Sequence, residues 1–144
     1  MDFIHAAKES YANKDFDTLL ELIPYSKLLG IRGVSLGNEL VFVLPANPNN
    51  IGNPMLPAIH GGAIGGFMEN AALLHVLTQF DLDNCPKTID FSLDYLRAGK
   101  DVDTYAQCKV VRRGRQVINV SVTSWQTHQQ EPIAEARAHL LTKG

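Results

Sequence analysis

Between Pro54 and Phe80 the chain carries one formally charged side chain, Glu69. Its neighbours Gly65, Gly66, Phe67, Met68, Ala71, Ala72, Leu73 and Leu74 are small or apolar. The segment from about Gly61 to Gln79 has helical character and is apolar nearly all round, so it should be buried on most faces. A carboxylate in such a place is costly unless something hydrogen-bonds to it. A general base or a carboxylate nucleophile would use that setting. Gly61, Gly62, Gly65 and Gly66 occupy the first turns of the same helix. Each glycine costs a helix about 1 kcal/mol relative to alanine, so four of them call for close approach of a ligand or another backbone. The first amides of a helix have no internal partner and carry the positive end of its dipole. They suit an oxygen that gains negative charge, as in an oxyanion hole. Glu69 lies seven and eight residues beyond Gly62 and Gly61. That is about two turns, on roughly the same face.

Structural roles compete with each of these readings. Glu69 can equally be a carboxylate bonded to a loop amide, and the glycines can equally serve tight helix–sheet packing. His60 can be a helix-entry residue bonded to backbone. His75, in the same helix, reads as a core or half-exposed histidine, and His60 and His75 lack metal-ligand spacing. The coincidence of histidine, glycine pair and solitary acid within ten residues favours the chemical reading.

The elements that must position this segment follow from periodicity. Phe3, Ala6, Ala7 and Ser10 recur at helical spacing, as do Phe16, Leu19, Leu20 and Ile23. Pro24 ends that run or starts a further turn to Leu29, and Gly30 stops it. Ile31 to Ser35 and Leu40 to Leu44 read as strands joined by a hairpin at Gly37-Asn38. Pro45 to Pro57 reads as a loop throughout. After the long helix, Asp81 to Lys87 is a turn region. Thr88 to Leu96 alternates, with Ile89, Phe91, Leu93 and Tyr95 on one side and Asp90, Ser92 and Asp94 on the other. Thr104 to Val111, Val117 to Trp125 and Ile133 to Leu141 are further strands, with Gly114 marking one hairpin and His128 to Gln130 another. The result is an α+β chain with one long helix beside an antiparallel sheet.

The totals fit one domain over residues 1–144, with a helical segment at 1–29 and the rest at 30–144. A formal net charge of −2 gives no field that would draw nucleic acid or an anionic membrane. Cys85 and Cys108 show no disulfide framework and no metal spacing, so no metal is expected. The N-terminal residues mix charges into their apolar pattern and do not read as a signal peptide. No apolar run reaches the roughly 20 residues of a spanning helix. A cytoplasmic protein is the expectation.

Taken in this order, the elements resemble the hotdog-fold acyl-CoA thioesterases of the phenylacetic-acid-degradation (PaaI-like) branch. The resemblance runs from about Pro24 to Leu141. It is carried by His60-Gly61-Gly62 through Glu69, by Thr88 to Arg97, by Val111-Arg112-Arg113-Gly114-Arg115, and by Pro24 to Gly30 before the first strand. It implies a long central helix wrapped by a curved antiparallel sheet of about six strands. It also implies a homodimer or homotetramer with the site between subunits. The first glycine, here Gly61, would offer its amide to the thioester carbonyl, with help from Gly62. Glu69 would be base or nucleophile, where most relatives carry Asp. Thr88, from the partner subunit, would position water. The family's asparagine about six residues before the histidine has no match at Pro54; Asn53 stands one further back. The substrate would be an acyl-CoA, with no separate cofactor. Its phosphates would need cations, and Arg112, Arg113 and Arg115 are the densest cluster, followed by Arg97 and Lys100. Two rivals stand beside hydrolysis. One is a hotdog dehydratase or hydratase using His60 and Glu69 on 3-hydroxyacyl thioesters. The other is a non-catalytic acyl-CoA-binding module.

Overall fold

The computed structural model describes residues 3–142. Three short helices come first: α1 (Phe3–Ala12), α2 (Phe16–Glu21) and α3 (Pro24–Leu29). Proline at the first position starts α3, and Gly30, in the left-handed region at φ 74°, ends it. Strands β1 (Arg32–Leu36) and β2 (Glu39–Leu44) form the expected hairpin. The long helix α4 covers Gly61–Gln79. Strands β5 (Lys87–Tyr95), β6 (Thr104–Arg113), β7 (Val117–Trp125) and β8 (Ala134–Leu141) complete one six-stranded antiparallel sheet of order β1-β2-β6-β7-β8-β5.

Helix α4 touches β2, β5, β6, β7 and β8, so the sheet wraps it along its length. Ile64, Phe67, Met68, Ala71, Leu74 and Val76 on the helix meet Phe42, Ala106, Ile118, Val120, Val122, Ala136, Ala138 and Leu140 from the strands. This is the hotdog arrangement that the resemblance implied. The alternations read from β7 and β8 hold, because their apolar members all lie on the helix side.

Two departures matter. The segment 45–57 is not loop throughout. Residues Ile51–Asn53 form β3, which pairs with β4 (Ala58–Ile59). Strands of three and two residues are too short for alternation to show. The second departure is in β5. The register passes from Thr88 opposite Leu140 to Asp90 opposite His139, leaving Ile89 as a bulge. A bulge reverses the facing of everything beyond it. Ile89 is therefore not on the inner face with Phe91, Leu93 and Tyr95; it is 55% exposed, and Thr88 takes the inner position opposite buried Leu140. A matching bulge at Val111 in β6 brings Arg113 opposite buried Ile118.

Two outcomes test this packing. Phe67 is wholly buried, so Phe67→Ala should lower unfolding free energy by about 3–5 kcal/mol in denaturant titration. His75 is largely buried, its Nδ1 has no partner, and desolvation lowers its pKa from 6.5. The unfolded chain then binds the proton more readily than the folded one. Stability should fall as pH drops through 6.5, and His75→Gln should flatten that part of the profile measured by urea unfolding.

Candidate active site at the start of the long helix

The start of α4 is held from both sides. His60 is its N-cap, and the Gly62 N–H donates to His60 Nδ1 at 2.9 Å. The amides of Ala63 and Ile64 donate to the His60 carbonyl at 3.0 and 3.2 Å. Of the four amides that begin the helix, only that of Gly61 has no acceptor among the described residues. The Gly62 amide, expected as a second donor to substrate, is taken by the capping ring. His60 itself is fixed through its N–H, which donates to the Asn50 carbonyl at 2.7 Å. The adjoining Ile59 N–H donates to Gly99 at 2.8 Å, so the approach to the helix is tied to the loop beyond β5.

The glycines serve close packing as well as access. Tyr95 Oη donates to the Gly61 carbonyl at 2.6 Å, and a Cβ on Gly61 would stand 3.0 Å from that hydroxyl. A Cβ on Gly65 would meet Leu93 at 3.3 Å, and one on Gly66 would meet the Tyr25 ring at 2.7 Å. Glycine here lets β5 and α3 approach the helix from opposite sides. Each residue turns about 100° around the axis, which leaves Gly62, Glu69 and Leu73 in line between those two flanks. All three are half-buried or exposed, while the opposite face of α4 is closed.

Glu69 therefore departs from expectation. It is half-buried rather than buried, and no described residue hydrogen-bonds to or pairs with its carboxylate. The loop amide proposed as its structural partner is not present. Next to it, buried Asn70 bonds in both directions: its Nδ2 donates to the Gly66 carbonyl at 2.7 Å, and its Oδ1 accepts from Ser26 Oγ at 3.1 Å. That pair pins α3 against the stripe that carries Glu69.

Beside the helix start lies a cavity of about 450 Å³, lined by Tyr25, Leu28, Asn50, His60, Gly62 and Ala63 among others. Asn50 Nδ2 is buried there without an acceptor. Sequence reasoning chose Asn53 for this neighbourhood. Asn53 is exposed, and its side chain accepts the Met55 N–H at 3.0 Å within its own turn. Asn50 is the asparagine that adjoins His60. The sequence offers Asn47, Asn49, Asn50 and Asn53 alike, and nothing local distinguishes them.

The structure also separates residues. Tyr95 meets Gly61, so Thr88 lies seven residues back along β5, about 23 Å from the helix start. Thr88 Oγ1 is buried and unpartnered at that far end. Within one chain Gly61 and Thr88 cannot address the same carbonyl. The four arginines divide as well. Arg113 lies over the Phe80 ring, 4.4 Å from its centroid, at the far end of α4. Arg112 and Arg115 line a cavity with Asn119 and His139, which lie on the sheet face away from the helix. Arg97, near the helix start, donates to the Pro132 carbonyl.

No helix among the described residues is long and apolar enough to cross a membrane. No curated protein matches the chain. Among solved structures, a protein from Chromobacterium violaceum is 37% identical, with 96% of each chain covered and a TM-score of 0.80. A phenylacetic acid degradation-related protein from Ralstonia eutropha is 21% identical over 82% of this chain and 89% of that one, with a TM-score of 0.72. A Bacillus halodurans protein solved with CoA is 20% identical over 99% of this chain and 92% of that one, with a TM-score of 0.74. The last two show the shared fold. The thioesterase superfamily model matches residues 56–133, a span that holds His60, the four helix glycines, Glu69 and Thr88. The chain belongs to the thioesterase superfamily.

Proposed function

We propose that the protein hydrolyses an acyl-CoA thioester to the free acid and CoA. The observation that carries this reading is the open amide of Gly61 at the start of α4, with Glu69, half-buried and without a partner among the described residues, two turns along the same helix. The thioester oxygen accepts from the Gly61 N–H as it gains charge. Glu69 either takes a proton from water, which then attacks the carbonyl carbon, or attacks that carbon itself to form a mixed anhydride that water hydrolyses to the acid and free Glu69. The carbon–sulfur bond breaks, and the sulfur leaves with a proton as CoA thiol. His60 positions the site by holding the Gly62 amide, and Asn50 polarises the cavity beside it. The reaction as written needs no metal and no further cofactor.

Thr88 completes the site only from a second copy. Strand β5 is an edge of the sheet, and an edge strand is a template for pairing. Antiparallel pairing of two β5 strands about a two-fold axis brings Thr88 of the partner subunit to the Gly61 end. The same operation carries the partner's Arg112, Arg113 and Arg115 to that end, within range of the CoA phosphates. The assembly is then a dimer, alone or as half of a tetramer. The Ralstonia protein's description and the CoA in the Bacillus structure support an acyl-CoA substrate of the phenylacetic-acid-degradation type. Such a substrate and the two free cysteines fit the cytoplasm.

Thiol release from short-chain, long-chain and aromatic acyl-CoAs decides the matter. Glu69→Gln should lower kcat by about a hundredfold or more, and unchanged turnover would remove Glu69 from the chemistry. Substrate binding without thiol release from any ester would make the protein a binding module, and loss of water from a 3-hydroxyacyl-CoA would make it a dehydratase. Mixing inactive Glu69→Gln with Thr88→Val chains should restore about a quarter of wild-type activity, since half the dimers then hold one intact composite site. No recovery after subunit exchange would show that each chain acts alone.

A further inference from the structure

Two tyrosines flank the glycines of α4, and their hydroxyls differ. Tyr95 donates to the Gly61 carbonyl at 2.6 Å, so its hydroxyl is already spent. Tyr25, on the other flank, is 46% exposed, and no described residue donates to its Oη or accepts from it. A Cβ on Gly66 would stand 2.7 Å from Tyr25 Cε2 and 3.0 Å from Tyr25 Oη. The phenol tip thus fills the space that a side chain at position 66 would take. Gly66 follows Gly62 by four residues and precedes Glu69 by three. Cβ positions three and four apart on a helix are about 5–6 Å from one another. The Tyr25 hydroxyl therefore lies between Gly62 and Glu69, whose Cβ is tilted back toward the helix start. Tyr25 also lines the cavity that His60, Gly62 and Asn50 border, so substrate and water reach it from there.

The ring is held there by its neighbour in α3. Ser26 is wholly buried, and its Oγ donates to Asn70 Oδ1 at 3.1 Å. Asn70 in turn donates to the Gly66 carbonyl at 2.7 Å. This ties α3 to the turn of α4 that carries both Gly66 and Glu69. Packing against a glycine needs only the ring, and phenylalanine would supply that. The hydroxyl adds a donor and an acceptor beside the one carboxylate of the helix. We propose that Tyr25 is a catalytic residue that holds the attacking water together with Glu69. This role rests on the thioesterase reading and selects its general-base form. One O–H of the water donates to the Glu69 carboxylate and the other to Tyr25 Oη. A lone pair of the water then points at the thioester carbon, whose oxygen sits on the Gly61 amide. The water oxygen bonds to that carbon as Glu69 takes the first proton. The carbon–sulfur bond breaks, and Glu69 returns the proton to the sulfur, leaving the acid and CoA thiol. The water's second lone pair remains for the hydroxyl of Thr88 of the partner subunit. Two acceptors fix the orientation of a water that a single acceptor leaves free to turn, and orientation is a large part of what a site contributes.

Tyr25→Phe keeps the ring and its contact with Gly66 and removes only the oxygen, so it should unfold at the wild-type temperature. On an acyl-CoA that wild type hydrolyses, it should lower kcat about tenfold, the worth of one hydrogen bond, and leave KM within about twofold. A rise in KM with kcat intact would make Tyr25 a wall of the substrate pocket and overturn the proposal. Added to Glu69→Gln, Tyr25→Phe should cost little more, because both side chains act on one water. A further loss of about tenfold in the double variant overturns the shared water. In a single turnover in oxygen-18 water, with enzyme in excess, the label should enter the released acid and not Glu69. Label in Glu69 shows that the carboxylate attacked the carbon itself, and overturns the water as nucleophile. Wild type that releases no thiol from any ester strikes the thioesterase reading and this role with it. Wild-type turnover that Tyr25→Phe matches in both kcat and KM strikes the role of Tyr25 alone.

Discussion

The burial of α4 against the sheet is the constraint on which the rest of this structure depends. A helix with a single charge in its 19 residues has no stable place in water, and five strands must curve around it. Burying side chains of the size of Phe67, Met68 and Leu74 contributes about 1.5–3 kcal/mol each. That closure leaves one stripe open, the row of Gly62, Glu69 and Leu73. Glycine and Glu69 share it for a physical reason. Close approach of Tyr25 and Tyr95 requires that the helix present no Cβ on the flanks, and the gap between those rings is where a carboxylate keeps contact with solvent.

The helix start then acquires its chemistry by elimination. Four amides emerge; three are satisfied by one residue, His60, through its ring and its carbonyl. An amide left without an acceptor at the positive end of a 19-residue helix is poised for an oxygen that becomes negative. The residue that leaves it open is the residue that caps its neighbour, so His60 holds the start of the helix in place. The Asn50 carbonyl and the Gly99 carbonyl fix that cap from outside.

Bulges divide the molecule's polar residues between two faces. One extra residue at Ile89 turns Thr88 toward the helix, and one at Val111 turns Arg113 the same way while leaving Arg112 outside. Thr88 faces the helix side of the sheet, and Arg112 lines a cavity across it. Gly61 and Thr88 stand at opposite ends of β5, so one chain cannot bring both to the same carbonyl.

Much of this was written in the sequence. The long apolar helix, its glycine-rich start, its solitary acid and the alternation of β7 and β8 all depend on neighbours within a few residues, so periodicity and composition reveal them. Residues 88–95 alternate equally well, yet there the pattern gave the wrong face to Ile89, because one inserted residue changes the phase without changing the composition. The choice of Asn50 over Asn53, the capture of the Gly62 amide and the separation of Arg112 from Arg113 were likewise beyond reach. Each depends on a rotamer, a register or a contact between segments far apart in the chain. Sequence determined which groups are available at the start of α4, from His60 to Glu69. Tertiary structure decided which of them are free, since only packing determines where each hydrogen bond is spent.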